Sequence, residues 1–188
     1  MKTIRYSILA MMFCGLQGCV DLDTAPYNQV ASNNMWSNSS LTNQGVAGVY
    51  AKMRDWGVYS TSYSYNVVPF ECLGMTGEAY RSIPYTSGTA GSDNGFFSGM
   101  WKNLYEGVHR ANDAIANLSE PGQGGVDEES RLRLLSECKF MRAYYYTRLN
   151  ELYGRYGLGV PVYTEPLSSV GDCTKGRSPE SEVWNLIV

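Results

Sequence analysis

Apolar residues return at helical spacing along most of this chain and lose every period in one long stretch. Over 41–55, Val46, Val49, Tyr50 and Met53 share a face at i, i+3, i+4 and i+7, which predicts a helix. Ser39 or Ser40 is placed to cap it, and Gly57 to close it. Over 98–118, Trp101, Leu104, Tyr105, Val108, Ala111, Ile115 and Leu118 gather on one arc, with Lys102, Glu106, Arg110 and Asp113 opposite. Asn112 falls inside the apolar arc, where its amide needs partners from a neighbouring helix or loop backbone. After the turn Pro121-Gly122-Gln123-Gly124-Gly125, a third helix is predicted over 127–153. Asp127, Glu128 and Glu129 suit its positive end, and Gly154 is expected to stop it. Its buried arc reads Leu134, Leu135, Cys138, Met141, Tyr145, Leu149, Leu152 and Tyr153. Arg142 lies on that arc too. A buried guanidinium needs hydrogen-bonding partners, so Arg142 is expected to play a structural part, clamping a carboxylate or the carbonyl end of another helix.

Two stretches break the pattern, and the first of them cannot be helix. Gly157 to Gly171 contains Pro161 and Pro166. Residues 56–97 carry Trp56, Tyr59, Tyr63, Tyr65, Phe70, Tyr80, Tyr85, Phe96 and Phe97 among many Ser, Thr and Gly. Pro69 and Pro84 interrupt this second stretch, and Gly88, Gly91 and Gly95 punctuate its end. It reads as an irregular insertion with one or two short strands. Loops of this length in compact domains are usually functional or disordered, and so many aromatics argue against disorder. A last helix starts at Arg177-Ser178-Pro179-Glu180, with Ser178 as N-cap and Pro179 in the first turn. The chain reaches Val188 about two turns later, a pattern that predicts a partial chain.

The beginning of the chain has its own pattern. Lys2 and Arg5 precede the apolar run Ile8-Leu9-Ala10-Met11-Met12-Phe13, and Leu16-Gln17-Gly18-Cys19 follows. A positive start, a short apolar core and small residues before a cut describe an export signal over 1–18. The run is too short for a membrane span, which takes about 20 apolar residues. Leu-x-Gly-Cys resembles a lipobox, in which the Cys thiol receives a diacylglyceryl group before cleavage. Cys19 is therefore the expected lipidation site, and ordinary secretion with Cys19 unmodified is the plainer alternative. Two or more acyl chains give stable membrane attachment where one does not. Residues 19–40, polar and rich in Asn and Ser with Pro26, read as a lipid-anchored tether that meets the body at Met35 and Trp36, and 41–188 as the body itself.

Charge and cysteine content narrow the field further. A net charge of −3 gives no electrostatic footprint for nucleic acid. Beyond Cys14 and Cys19, Cys72, Cys138 and Cys173 remain, an odd count that leaves at least one thiol unpaired. A Cys72–Cys173 bridge and buried free thiols both fit an exported chain. No pair has zinc-site spacing, and no metal or other cofactor is indicated.

The landmarks, taken in order, resemble the SusD/RagB family of outer-membrane nutrient-binding lipoproteins. They are Cys19-Val20-Asp21-Leu22-Asp23 with Pro26; Trp101-Lys102-Asn103-Leu104-Tyr105 leading to Arg110-Ala111-Asn112; and Glu137-Cys138-Lys139-Phe140-Met141-Arg142-Ala143-Tyr144-Tyr145-Tyr146. Leu149 to Gly154, Val160-Pro161, Arg177-Ser178-Pro179-Glu180 and Val183-Trp184 complete the series, which covers nearly all of the chain after its leader. The resemblance implies a mainly α fold, a tetratricopeptide-like scaffold of helix pairs with long irregular loops. The helices at 98–118 and 127–153 suit one such pair. It further implies a surface-exposed position on the outer membrane, a SusC-like TonB-dependent transporter as partner, capture of oligosaccharide or peptide, and no catalysis.

Sugar recognition needs flat apolar faces together with planar polar groups. Trp56, Tyr59, Tyr63, Tyr65, Tyr80 and Tyr85 offer the first, Glu78 and Arg81 the second. Tyr and Trp lose little entropy when ordered, which is why binding surfaces favour them. The plainer reading of each aromatic is packing of the loop onto the scaffold. A glycoside hydrolase would need carboxyl groups about 5 to 9 Å apart, for which Glu71 and Glu78 are the candidates, with nothing in an irregular loop to fix their separation. His109 is the sole histidine and lies on the polar side of its helix. Asp93-Asn94-Gly95 reads as a plain turn, since the further carboxylates of a calcium loop are missing. A surface scaffold that binds only protein is the third reading, because helical repeats often present concave interaction surfaces.

Overall fold

In a computed structural model of the protein, residues 34–55, 58, 74, 88, 89, 91 and 94–188 are described, all within one unit, Ser32–Val188. Among the described residues, four α-helices carry the fold: α1 (Ser39–Ala51), α2 (Gly95–Ala116), α3 (Glu128–Tyr153) and α4 (Glu180–Ile187). The described residues form no strand, and pairing is confined to bridges between Arg155 and Leu158 and between Leu158 and Pro179. The expected short strands in 56–97 and the closing role of Gly57 lie outside the described residues.

The helix starts follow side-chain capping, with two corrections to the sequence reading. Asn38, rather than Ser39 or Ser40, caps α1: its Oδ1 accepts from Leu41 N–H at 3.0 Å. An Asn carbonyl reaches the free N–H groups of a first turn as well as a Ser hydroxyl does, and both serines lie inside the helix. Pro179, rather than Ser178, occupies the cap of α4 and supplies no side-chain bond, so that helix begins one residue later, at Glu180. Asn94 caps α2 and Asp127 caps α3, each accepting a backbone N–H at 2.9 Å. Gly154 does end α3, but with φ −74° rather than in the left-handed form. A side chain there would stand 2.5 Å from Asn150 O and 2.6 Å from Asn150 Oδ1, so space decides the residue.

α2 and α3 form an antiparallel pair across the 121–125 turn, and α1 lies across both. Their shared core holds Val46 and Val49 from α1, Met100, Leu104, Val108 and Ala111 from α2, and Leu134, Cys138, Met141, Tyr145, Tyr146 and Leu149 from α3. Gly107 makes room for a ring of α3. A Cβ at this position would stand 2.8 Å from the Tyr145 ring, so the ring occupies the place of the missing side chain. The Tyr145 hydroxyl goes on to donate to Val49 O at 2.6 Å. One tyrosine thereby spaces α2 from α3 and ties α1 to both. The turn docks on α1 in the same manner: Thr42 Oγ1 donates to Gly124 O at 2.5 Å, and Gly125, at φ +59°, leaves no room for a Cβ against Asn38.

α1 runs on into a short 3₁₀ turn, Lys52–Arg54. Lys52 is buried, and its ammonium donates to Asp55 and, at 2.6 Å, to Glu106 of α2. A buried ammonium is tolerable only when paired in this way. The hydrogen bond from Lys52 holds the Glu106 carboxyl below its ordinary range.

Residues 160–165 follow α3 as a strap that is neither helix nor strand. Buried backbone carbonyls must still be satisfied: Val160 O accepts from Ser178 N–H at 3.3 Å, and beyond it side chains do the work. Tyr105 Oη donates to Pro161 O at 2.7 Å, and Tyr146 Oη to Tyr163 O at 2.9 Å while accepting from Tyr163 N–H at 2.6 Å. Asn112 Nδ2 donates to Tyr163 O at 2.9 Å and Glu165 O at 3.3 Å. Arg142 Nη1 donates to Asn112 Oδ1 at 3.0 Å and Thr164 O at 3.2 Å. Arg142 thus meets an amide oxygen and a loop carbonyl, neither the carboxylate nor the helix end expected of it. Burial lowers its pKa, and it donates nevertheless because a guanidinium stays protonated far above neutral pH.

Three outcomes follow for stability. Gly107→Ala gains about 1 kcal/mol of helix propensity but forces the Tyr145 ring away at about 1–3 kcal/mol; urea unfolding should show a lower midpoint. Asn112→Ala strips partners from Arg142 and two buried carbonyls, for a loss of about 2–3 kcal/mol and faster proteolysis within 160–175. The Glu106 contribution is present above the ordinary carboxyl range and disappears as pH falls through its depressed value. Accordingly, Glu106→Gln should lower the melting temperature at pH 7 and leave it close to that of the parent near pH 3.

Candidate functional site

The strap that these side chains pin builds one wall of a cleft of about 550 Å³, and α2 builds the other. Trp101, Tyr105, Val108 and Asn112 come from α2; Pro161, Tyr163, Leu167, Cys173 and Lys175 come from the strap and the 3₁₀ turn after it. The aromatic wall is internally braced. Trp101 and Tyr105 have ring centroids 4.8 Å apart with planes tilted by 52°. Tyr105 meets Tyr163 edge to face at 6.0 Å, and Trp101 meets Tyr153 of α3 edge to face at 5.0 Å. Such pairs favour fixed ring orientations.

Charge sits only at the rim. Lys175 Nζ stands 5.2 Å from the Tyr163 ring centroid and donates to Val162 O at 3.1 Å. Lys102 approaches Glu106 at 3.8 Å, and His109 is exposed. A second hollow of about 470 Å³ shares Tyr163, Leu167 and Lys175 with the cleft and is lined by Thr164, Glu165, Ser168 and Asp172. Asp172 accepts from Ser168 N–H, Ser168 Oγ and Ser169 N–H, and these bonds hold its carboxyl below its ordinary range.

Ionisation inside the body favours neutral forms. Burial pushes the Tyr146 hydroxyl and the Cys138 thiol each up to about 12, and raises Tyr105 further. At neutral pH Cys138 is a thiol, hence a poor nucleophile, and the tyrosines act as hydrogen-bond donors. Cys173 is free and exposed rather than a buried thiol, and Cys72, the other half of the expected bridge, lies outside the described residues. Among the described residues, no group of three His, Cys, Asp or Glu side chains could hold a metal ion. Among them too, no helix is long and apolar enough to cross a membrane.

The residues singled out from the sequence divide cleanly. Trp56, Tyr59, Tyr63, Tyr65, Glu78, Tyr80, Arg81 and Tyr85 lie outside the described residues, as do Glu71, Cys72 and Cys19. Asn112 and Arg142 are brought together, at 3.0 Å. The cleft itself was not foreseen. Trp101 and Tyr105, on the apolar arc of α2, are only partly buried. Tyr163 carries no sequence signal except its place within the proline-interrupted stretch 157–171, and Lys175 none except its place just after it.

Comparison with known proteins adds the remaining finding. The sequence pattern of a SusD-like family, described as "Starch-binding associating with outer membrane", matches residues 21–188. The SusD-like protein P25 of Formosa agariphila is 25% identical over 185 residues, covering 89% of this chain and 32% of that protein. The crystal structure of a SusD superfamily protein from Bacteroides thetaiotaomicron is similar with a TM-score of 0.62 and 19% identity, covering 84% of this chain and 35% of that one. A SusD superfamily protein from Bacteroides vulgatus gives a TM-score of 0.61 at 18% identity, over 81% and 33%. The chain therefore spans about a third of the length of the relatives it matches. With the family pattern matched from residue 21 to residue 188, this chain belongs to the SusD/RagB family.

Proposed function

We propose that this chain acts as a cell-surface lipoprotein, anchored in the outer membrane through acylated Cys19, that binds oligosaccharide and passes it to a SusC-like TonB-dependent transporter. The family match over 21–188, with its starch-binding and outer-membrane description, is the observation that carries the reading. The sequence supports it independently, since a lipobox at Cys19 and an aromatic-rich insertion suit an anchored carbohydrate binder. In this reading Trp56, Tyr59, Tyr63, Tyr65, Tyr80 and Tyr85 offer ring faces to the sugar, and Glu78 and Arg81 offer hydrogen bonds. The helical body fixes the ends of that insertion and performs no chemistry. A peptide ligand would use the same apolar faces with different polar partners.

Two measurements test this function. Isothermal titration of a soluble form beginning after Cys19, against a panel of starch-type and other oligosaccharides, should show saturable binding. Trp56→Ala or Tyr80→Ala should weaken that binding about tenfold, the equivalent of about 1.4 kcal/mol. Bond cleavage would replace this reading with a hydrolase, and absence of any glycan binding would leave a protein-binding scaffold. In cells, labelled palmitate should enter the full chain and fail to enter Cys19→Ser, which should also leave the membrane fraction because its acyl chains are lost. Label retained in Cys19→Ser would refute the anchor.

A further inference from the structure

We draw no further inference here: the strongest candidate, the aromatic-walled cleft between α2 and the 161–175 segment, is an unpartnered apolar surface, and nothing in the structure shows what covers it.

Discussion

The contact between the Tyr145 ring and the bare backbone at Gly107 sets the spacing on which the rest of the molecule depends. Helices in contact usually keep their axes about 8–10 Å apart, and a large ring fits between them only where the facing side chain is absent. Gly107 costs α2 about 1 kcal/mol of intrinsic propensity relative to Ala. In return the ring fills the seam, and its hydroxyl reaches Val49 O at 2.6 Å. That reach also brings α1 to the pair. The far end of α1 is then positioned for Lys52 to meet Glu106, and its near end for Thr42 to meet Gly124. A single steric omission thus propagates into three tertiary contacts.

The second organising constraint is the accounting of backbone polar groups. With two prolines in 157–171, the strap satisfies its carbonyls neither within a helix nor through a ladder, apart from the bond that Val160 O accepts from Ser178 N–H. The helix pair answers with Tyr105, Asn112, Arg142 and Tyr146, four polar side chains from one face of α2 and α3. Each costs something to bury alone, and the network is stable because every member has a partner. Asn150, outside that network, contrasts with it: among the described residues, neither pole of its buried amide has a partner. It sits where Gly154 and Gly159 leave no space for a Cβ, so the packing there is determined by shape while the polar account stays open. The same network fixes Tyr163 and Pro161 against Tyr105, and the orientation of the cleft wall follows from it.

Periodicity made the scaffold legible from sequence, and the limits of periodicity explain what was missed. Six of the eight arc positions of the 127–153 helix and four of the seven of the 98–118 helix are buried in the core, and the others pack against it partly buried, because helix burial follows spacing. Tyr146 escaped, although it is fully buried. It lies off the arc and is drawn in by the strap, a partner that begins fourteen residues later and leaves no period. Arg131 escaped for a similar reason: it is buried over the end of α2, donating to Leu118 O and to Glu128. The cap of α1 is ambiguous in the sequence because four capping residues, Ser37-Asn38-Ser39-Ser40, stand in a row, and composition alone does not rank Asn38 above Ser39. Asn112 and Arg142 were recognisable as polar intruders on apolar faces. Their partners were not, since those belong to a segment whose path only tertiary structure defines.

Fold and ligand stand on different physical footings in this chain. A helical seam tolerates many apolar exchanges as long as volume and pattern persist, which is why structures only 18–19% identical still superpose with TM-scores of 0.61–0.62. Recognition of a sugar has no such tolerance, because it depends on particular ring faces and particular hydrogen-bonding groups at fixed positions. Likeness of scaffold therefore carries the fold and says little of any ligand. In this sequence the two demands are also separated along the chain: the periodic segments carry the core, while the aperiodic stretch between α1 and α2 holds the dense run of Trp and Tyr. On the proposed reading, selectivity rests with that aperiodic stretch, whose exchanges leave the periodic pattern of the helical segments unchanged.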